Sequence, residues 1–550
     1  MMTINTNINT DYDVIIIGGG HNGMLCGAYL AKTGGKVLVL EKKHETGGGL
    51  VTEDFQSPYR FNLHATYMMM ADVAPSHADL KLHDHSLAYI TPDVQIAFHH
   101  RDGKALVFHR DPEKSAQSVA MFSESDAARF RTMFADFKEM CDEILIPATY
   151  VPAVPALDQI MQFQQTELGR KVAEVSEMTP AEIIDSYGFE HPRVKGALLY
   201  LATLWGITPD ATNVGYLVPL WIYRMMNAAL VRGGSHSLSS SVQGAFRKAG
   251  GEVKDRAGVE HIIMEGGRAV GVRTTDGDEY RAKAVVSTVN PEQTFLDFIE
   301  EEELPQDLVA AAKQWQWEDI SVFTSHYGVV GPAPDYTSAK FNPDANHALM
   351  NVIGIESVED VMEAHDDVAN GRLGKIHGRA TCTSQFDSLA AVGQDVCGEL
   401  NTLRFETWAP YKLDNEDWDD VRKDYMARCK AAWQEYAPNL KDVSYGYEIV
   451  MTPKDIERRL INMKNGSFKQ GSYNMMQMGY LRPNDQCSRY STPVDGLYMA
   501  GAAVYPGGMI LHGSGYNAAK VVAEDLGLNI WWQEPEMVTK AKAKQYLQDD

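Results

Sequence analysis

The segment Asp13 to Gly49 constrains this chain more than any other. It opens with Val14 to Ile17, a short, wholly apolar run that reads as a buried central strand. Gly18, Gly20 and Gly23 follow in the spacing G-x-G-x-x-G, with Gly27 four residues on. Gly18 permits a tight turn, and Gly20 lets the backbone approach a pyrophosphate. Gly23 and Gly27 let the next helix pack close to the sheet, its N-terminus toward the phosphates. A second β-branched run, Lys36 to Leu40, ends in Glu41, eighteen residues after Gly23. An acid there accepts both hydroxyls of an unphosphorylated ribose and repels a 2′-phosphate. A lone glycine motif also fits an ordinary turn. Here strand, glycines, helix, strand and acid come in the required order, which points to a dinucleotide site in an α/β fold. The unit alone does not separate NAD from FAD.

At 550 residues the chain is too long for one simple core, so two joined domains are expected. A hydrophobic content of 44% and a charged content of 23% are those of a globular protein. The formal net charge of −24 opposes binding to nucleic acid or to an anionic membrane surface. Cys26, Cys141, Cys382, Cys397, Cys429 and Cys487 stand far apart, with no C-x-x-C pair. Neither a zinc site nor a redox dithiol is indicated, and reduced structural thiols in a cytoplasmic protein are the simpler reading. The polar start MMTINTNINTDYD has no signal-peptide pattern, and residues 1–10 read as a frayed arm. The longest apolar stretch, Ala197 to Ile207, is too short to span a bilayer. No metal site is expected, and a homo-oligomer is compatible with this composition.

Past the glycines come Phe55, Tyr59 and the phrase RFNLHATYMMM. From Asp72 to Arg232 the pattern turns helical, as in Ala127 to Leu145 and Thr179 to Tyr187, with prolines at the breaks. Ala197 to Trp205 and Tyr216 to Met226 are apolar and aromatic; most are core, and some suit the wall of a substrate pocket. Ser235 to Lys248 predicts a helix closed by Gly250 and Gly251. Strands follow, joined by turns at Gly266-Gly267 and Asp276-Gly277, and Val285 to Ser287 is a further strand. Ile320 to Val329 alternates like a strand, and the acidic runs Glu300 to Glu303 and Asp414 to Asp420 read as solvated faces.

The last motif is TPVDGLYMAGAAVYPGGMILHGSGYNAAKVVAEDL. Gly496 to Ala500 reads as a strand, Gly501 as a tight turn, and Pro506-Gly507-Gly508 as a loop exposing backbone N–H groups. Gly513-Ser514-Gly515 opens a helix from Tyr516 to about Leu526. A helix N-terminus placed at a flavin's pyrimidine edge stabilises negative charge on the reduced ring. Trp531, Trp532 and the Lys-rich tail read as a docking segment.

Gly47, Gly48 and Gly49 after Glu41 give an E-x5-G-G continuation that resembles the phytoene desaturase and amine oxidase superfamily of flavoproteins. The segment from 232 to 291 and the C-terminal motif resemble the same family, in its phytoene-dehydrogenase-related branch (the pyridine nucleotide-disulfide oxidoreductase domain 2 type). The resemblance implies FAD as cofactor, held by Gly18, Gly20, Gly23 and Glu41, by the Gly48-Gly49 loop, and by the backbone of Val259 on the adenine side. It also implies that Gly501, Gly508, Gly515 and Asn517 border the flavin. The expected architecture is a Rossmann-type FAD-binding domain, a doubly wound parallel sheet built from residues 1–71, 232–300 and 490–550. It is interleaved with an α+β substrate domain from residues 72–231, largely helical, and 301–489.

This sequence departs from the family pattern at several positions. His64 stands where glycine is usual, Tyr505 where histidine is, Met509 where a third glycine is, His512 where a small residue is, and Tyr516 where arginine is. These departures cluster where ring and substrate meet, which argues against carotene as substrate. The expected reaction is desaturation or oxidation of an apolar or cyclic small molecule, with oxygen or a quinone-like acceptor taking the electrons. A flavin amine oxidase is the alternative, and a non-catalytic protein resembling GDP-dissociation inhibitors is a further one. A histidine suits the proton that must leave beside the hydride. His64 and His512 are the candidates, as base or merely as a hydrogen-bond partner filling space that glycine leaves open. Tyr505 and Tyr516 stand in reserve as orienting hydroxyls.

Overall fold

In the computed structural model, which describes residues 11–393 and 399–548, the run expected to be the central strand is Tyr12–Ile17. Val37–Leu40 and Glu279–Ser287 pair with it in parallel, one on each side. Glu252–Lys254 and Leu497–Met499 extend the sheet outward, also in parallel. Glu279–Ser287 continues into an antiparallel meander with Arg268–Thr274 and Val259–Glu265, through the turns read at Gly266-Gly267 and Gly277. Strands from three distant parts of the chain thus share one sheet. Helices His21–Lys32, His236–Lys248 and Gly513–Asp525 pack together beside it. A Cβ on Gly27 would lie 3.2 Å from both Ile16 and Phe246, so the absent side chain is what lets helix, strand and second helix meet.

The second sheet has seven strands in the order Ser444–Met451, Ile320–Val330, Leu400–Pro410, Gly378–Cys382, Met350–Ile353, Val94–His99, Ala105–His109. Its pairings are antiparallel except that of Met350–Ile353 with Val94–His99. One face carries Phe98 and Trp408 against Tyr200 of helix Pro192–Thr203. On the other face Phe323 stacks on Trp418 and Phe405 packs on Trp433, both from helix Trp418–Tyr436. Ile320–Val330, whose alternation suggests one wet face, is therefore buried on both.

The helical segment is as expected in kind, with shifted bounds. Glu124–Met140 starts at Ser123, whose hydroxyl accepts the Asp126 N–H, and passes into a wider turn at Cys141–Leu145 before Pro147. Thr179 and Glu182 form a capping box for Pro180–Ser186. The tail docks on its own chain. Trp531 stacks on Tyr29 and donates its indole N–H to the Tyr29 carbonyl, while Lys32 sits over the same indole. Five cysteines are buried and free, whereas Cys397 and the expected arm 1–10 lie outside the described residues. Among the described residues no helix is long and apolar enough to cross a membrane, and no cluster suited to a metal occurs.

Candidate functional site

The glycine motif forms a shallow cradle at the carboxyl end of the central strand. Gly18 has φ +96°, and a Cβ there would lie 2.6 Å from the Thr288 hydroxyl. A Cβ on Gly23 would come within 2.2 Å of the Gly18 carbonyl oxygen. Gly20 differs: no atom lies within 4 Å of its Cβ position, so its outer face is open. Gly47 pairs with Gly20, and a Cβ on Gly48 would lie 3.2 Å from the Gly20 Cα. Helix His21–Lys32 starts at Gly20 without a side-chain cap, leaving its first N–H groups facing this opening. A Cβ on Gly515 would lie 2.4 Å from the Asn22 carbonyl oxygen, so the N-terminus of helix Gly513–Asp525 comes up beside the first. His21 Nε2 and Ser514 Oγ are buried there without hydrogen-bond partners. An open glycine, two adjacent helix N-termini and orphaned polar atoms fit a pyrophosphate-bearing cofactor.

Glu41 accepts the Gly19 N–H at 2.8 Å and the Lys43 N–H at 2.9 Å, one on each carboxylate oxygen. Each oxygen keeps a further lone pair for a ribose hydroxyl. The Ala257 N–H donates to the Glu41 carbonyl at 2.8 Å, which brings Val259, two residues on, to the same end.

The C-terminal motif corrects one expectation. The loop Pro506-Gly507-Gly508 does not leave its N–H groups free: Gly507 donates to the Val504 carbonyl and Gly508 to the Tyr473 hydroxyl, both at 2.8 Å. A buried loop satisfies its donors internally. Beneath it Arg482, fully buried, donates to the carbonyls of Ala502, Lys469 and Gln477 and so fixes the loop from below. Gly501 packs where a Cβ would lie 2.5 Å from the Thr288 carbonyl oxygen. Asn517 spends its amide on Thr149 and Val151 carbonyls and the Tyr490 hydroxyl, tying helix Gly513–Asp525 to the helical segment.

Between the two sheets lies a cavity bordered by Gly49, Met509 and Ile510 on one side and by Trp205, Val322, Ile456, Met463 and Phe468 on the other. It is a cleft of about 100 Å³, partly open to solvent, with a mainly apolar lining. One wall is charged. Cross-strand rows place Thr324, Glu406 and Arg379 side by side, and His326, Arg404 and Thr381 in the next row. Glu406 binds Arg379 with one oxygen and Arg404 with the other, and Arg404 also donates to the Thr66 hydroxyl. Burial lowers the Arg404 guanidinium to about 10.

Of the four residues singled out for catalysis, the structure brings His64 alone to this cavity. Burial, with Arg459, Arg404 and Lys43 nearby, pushes its imidazole down to about 3, and its Nε2 has no partner. His512 turns away at φ +66° just before helix Gly513–Asp525, and its Nδ1 bonds the Ser76 hydroxyl at 2.9 Å. There it meets the rings of His21 and His77, and burial holds all three imidazoles neutral. The Tyr505 hydroxyl donates to the Ala148 carbonyl at 2.8 Å. Tyr516 is wedged edge-on between Tyr29 and Tyr150. Sequence reasoning passed over Arg379, Arg404 and Glu406. The one signal was Arg404 and Glu406 two apart within the otherwise uncharged strand Leu400–Pro410.

A glycine cradle joined through an apolar cavity to a second sheet defines a dinucleotide-dependent oxidoreductase of two interleaved domains. Residues 16–80 match the family model described as NAD(P)-binding Rossmann-like domain. The chain is 47% identical to one of the polypeptides of the limonene dehydrogenase of Castellaniella defragrans, over 97% of this chain and 98% of that protein. It is 22% identical to a neurosporene-forming phytoene desaturase of Rhodobacter capsulatus, over 93% of this chain and 94% of that protein. A solved structure of a putrescine oxidase variant shares the fold, with a TM-score of 0.60 at 14% identity, covering 94% of this chain and 99% of that one. The chain belongs to the phytoene-desaturase-related family of flavin-dependent oxidoreductases.

Proposed function

We propose that this protein is an FAD-dependent dehydrogenase that desaturates a small, largely apolar, cyclic substrate. The observation that carries the reading is the apolar cavity set between the Gly49 and Met509–Ile510 segments and the second sheet, with one unpartnered histidine inside it. Segments 1–71, 232–300 and 490–550 would hold FAD, and 72–231 with 301–489 would hold the substrate. Gly18, Gly20 and Gly23 with the helix N-terminus at His21 bind the pyrophosphate, and Glu41 binds the adenosine ribose. Gly48 and Gly49 cover the cofactor, the Val259 backbone borders the adenine, and Gly501, Gly508, Gly515 and Asn517 shape the flavin end. FAD, when bound, supplies the acceptor for a hydride from the substrate. The C. defragrans relative is named for limonene, a monocyclic hydrocarbon, and that size suits this cavity better than a carotenoid.

The wall residues Trp205, Val322, Ile456, Met463 and Phe468 exclude water from the carbon that loses hydride. His64 lines that space and, held neutral, has a ring nitrogen that can take a proton. An imidazole held near 3 is a weak base, yet a carbon acid beside a cationic centre is far stronger than imidazolium. His64 therefore receives the proton from the adjacent carbon, and a double bond remains. His512, Tyr505 and Tyr516 position neighbouring segments and do not meet the substrate. The electrons leave to oxygen or a quinone-like acceptor, and binding of FAD is non-covalent.

The test is anaerobic flavin bleaching with cyclic alkenes, polyenes, amines and NADH in separate cuvettes. Cyclic alkenes should bleach the flavin, and His64→Ala should slow that step by ~10²–10⁴ with FAD occupancy kept. Bleaching by amines alone, or by NADH without substrate, overturns the reading.

A further inference from the structure

The cavity wall carries a charge that hydride loss from a hydrocarbon does not use. Arg379 and Arg404, both buried, share the single carboxylate of Glu406, so two positive groups face one negative and the cluster keeps a net charge of +1. Two nearby cations have carboxylates of their own. Lys469 stands 3.8 Å from Glu318, and Arg459 pairs with Glu53. His64 and His326 beside the cluster are held neutral by burial. Three N–H donors of the cluster, Arg379 Nε, Arg379 Nη1 and Arg404 Nε, are buried and have no acceptor, and Thr324 Oγ1 next to them has no partner either. Elsewhere the guanidinium of Arg379 lies against the Trp205 ring at 5.0 Å and touches the Tyr200 phenol. A buried guanidinium with unused donors is costly unless an anion completes it.

We infer that Arg379, with Arg404 beside it, forms a carboxylate subsite, so that the substrate is an apolar ring or branched chain bearing one carboxylate. The inference rests on the cavity being the substrate site, as proposed above. A guanidinium N–H makes a charge-assisted hydrogen bond to a carboxylate oxygen, which a hydrocarbon or a protonated amine cannot accept. The apolar wall opposite takes the ring, and the anchored carboxylate fixes which carbon faces the cofactor. Arg404, already bonded to Glu406 and Thr66, supplies charge and its free Nε–H, whereas Arg379, held by Glu406 through Nη2, supplies the N–H groups of Nε and Nη1.

The experiment uses the FAD-loaded full chain and two probes of equal size, cyclohexanecarboxylate and cyclohexylmethanol. Binding is read by calorimetry and by the shift in flavin absorption. Wild-type protein should bind the carboxylate ~10–100-fold more tightly than the alcohol, the ratio for a charge-assisted pair of hydrogen bonds. Arg379→Gln should erase that preference and leave the alcohol unchanged. Glu406→Gln removes the counter-charge and should strengthen carboxylate binding. A merely structural role would weaken both probes in both variants, which overturns the inference. Equal wild-type affinity for the two probes overturns it as well. So does a positive charge that serves only the reduced cofactor: Arg379→Gln would then shift the flavin midpoint potential without altering carboxylate binding. If the alcohol shifts the flavin spectrum and the carboxylate does no better, only the subsite falls. If neither probe shifts it, the cavity is not the substrate site and both readings fall.

Discussion

Two glycines three residues apart, Gly20 and Gly23, should respond in opposite ways to the same added methyl group. At Gly23 a Cβ would sit 2.2 Å from the Gly18 carbonyl oxygen, about 1 Å inside contact, and 3.2 Å from Thr288 Cγ2. The nearer neighbour is backbone and cannot swing aside, so the helix must lift off the strand. Overpacking of this kind costs about 1–3 kcal/mol and more where backbone is displaced, so Gly23→Ala should melt several degrees lower even without cofactor. At Gly20 the Cβ meets no atom within 4 Å, and φ −63°, ψ 166° is open to any residue. Gly20→Ala should therefore leave the cofactor-free protein as stable, or ~0.4–1 kcal/mol more stable through its less flexible unfolded chain. Its methyl group would instead occupy the space over the helix N-terminus. Each N–H bond to a charged phosphate that is lost costs ~1.5–3 kcal/mol, a ~10–100-fold fall in FAD affinity. Melting curves of the cofactor-free variants and FAD titration by fluorescence quenching separate the two effects. A Gly20→Ala protein that binds FAD at wild-type affinity would refute the placement of the pyrophosphate, and a Gly23→Ala protein of unchanged stability would refute the packing argument.

Acid should destabilise the fold through its buried histidines. The imidazoles of His21 and His77 are lowered to about 4 and that of His64 to about 3, chiefly by burial, so between about 6.5 and those values the unfolded chain binds protons that the native one does not. Stability should be full above pH ~6.5 and fall as pH drops toward 4, with each such group contributing up to ~3 kcal/mol; a melting temperature unchanged from pH 7 to pH 4.5 contradicts this. Arg482→Met should leave the Ala502, Lys469 and Gln477 carbonyls without their donor and loosen the Gly501–Gly508 loop, at ~3 kcal/mol or more. It is read as faster FAD dissociation together with a lower melting temperature, and normal FAD retention would show that the loop holds its shape unaided. Trp531→Ala should cost ~3 kcal/mol through the lost stack on Tyr29, and a thermally silent variant would mean the tail is not docked in solution.

The cofactor half of the fold was legible because its signal is contiguous. Strand, turn glycines, helix, strand and acid occupy Asp13 to Glu41, and each residue acts on near neighbours. The cavity was not legible, for the opposite reason. Arg379 and Glu406 meet only when two buried strands pair in register, and strands buried on both faces lose the alternation that would assign a side chain to one of them. Met350–Ile353 pairs in parallel with Val94–His99, a contact no local pattern announces. The histidines show how a motif misleads beyond backbone. His64 and His512 both replace small residues, yet a left-handed turn at His512 sends its ring to Ser76, whereas His64 lines the cavity.

The double burial of Ile320–Val330 divides its positions into two classes with different consequences for change. Val322, Thr324 and His326 belong to the cavity side, and Phe323, Tyr327 and Val329 to the core under helix Trp418–Tyr436. Substitutions scanned along this strand should then read out with a period of two, choice of substrate at one residue and yield of folded protein at the next. A relative acquiring a new substrate has a route through the first class that leaves the second untouched. One strand can thus diversify in chemistry while the scaffold around it stays the same.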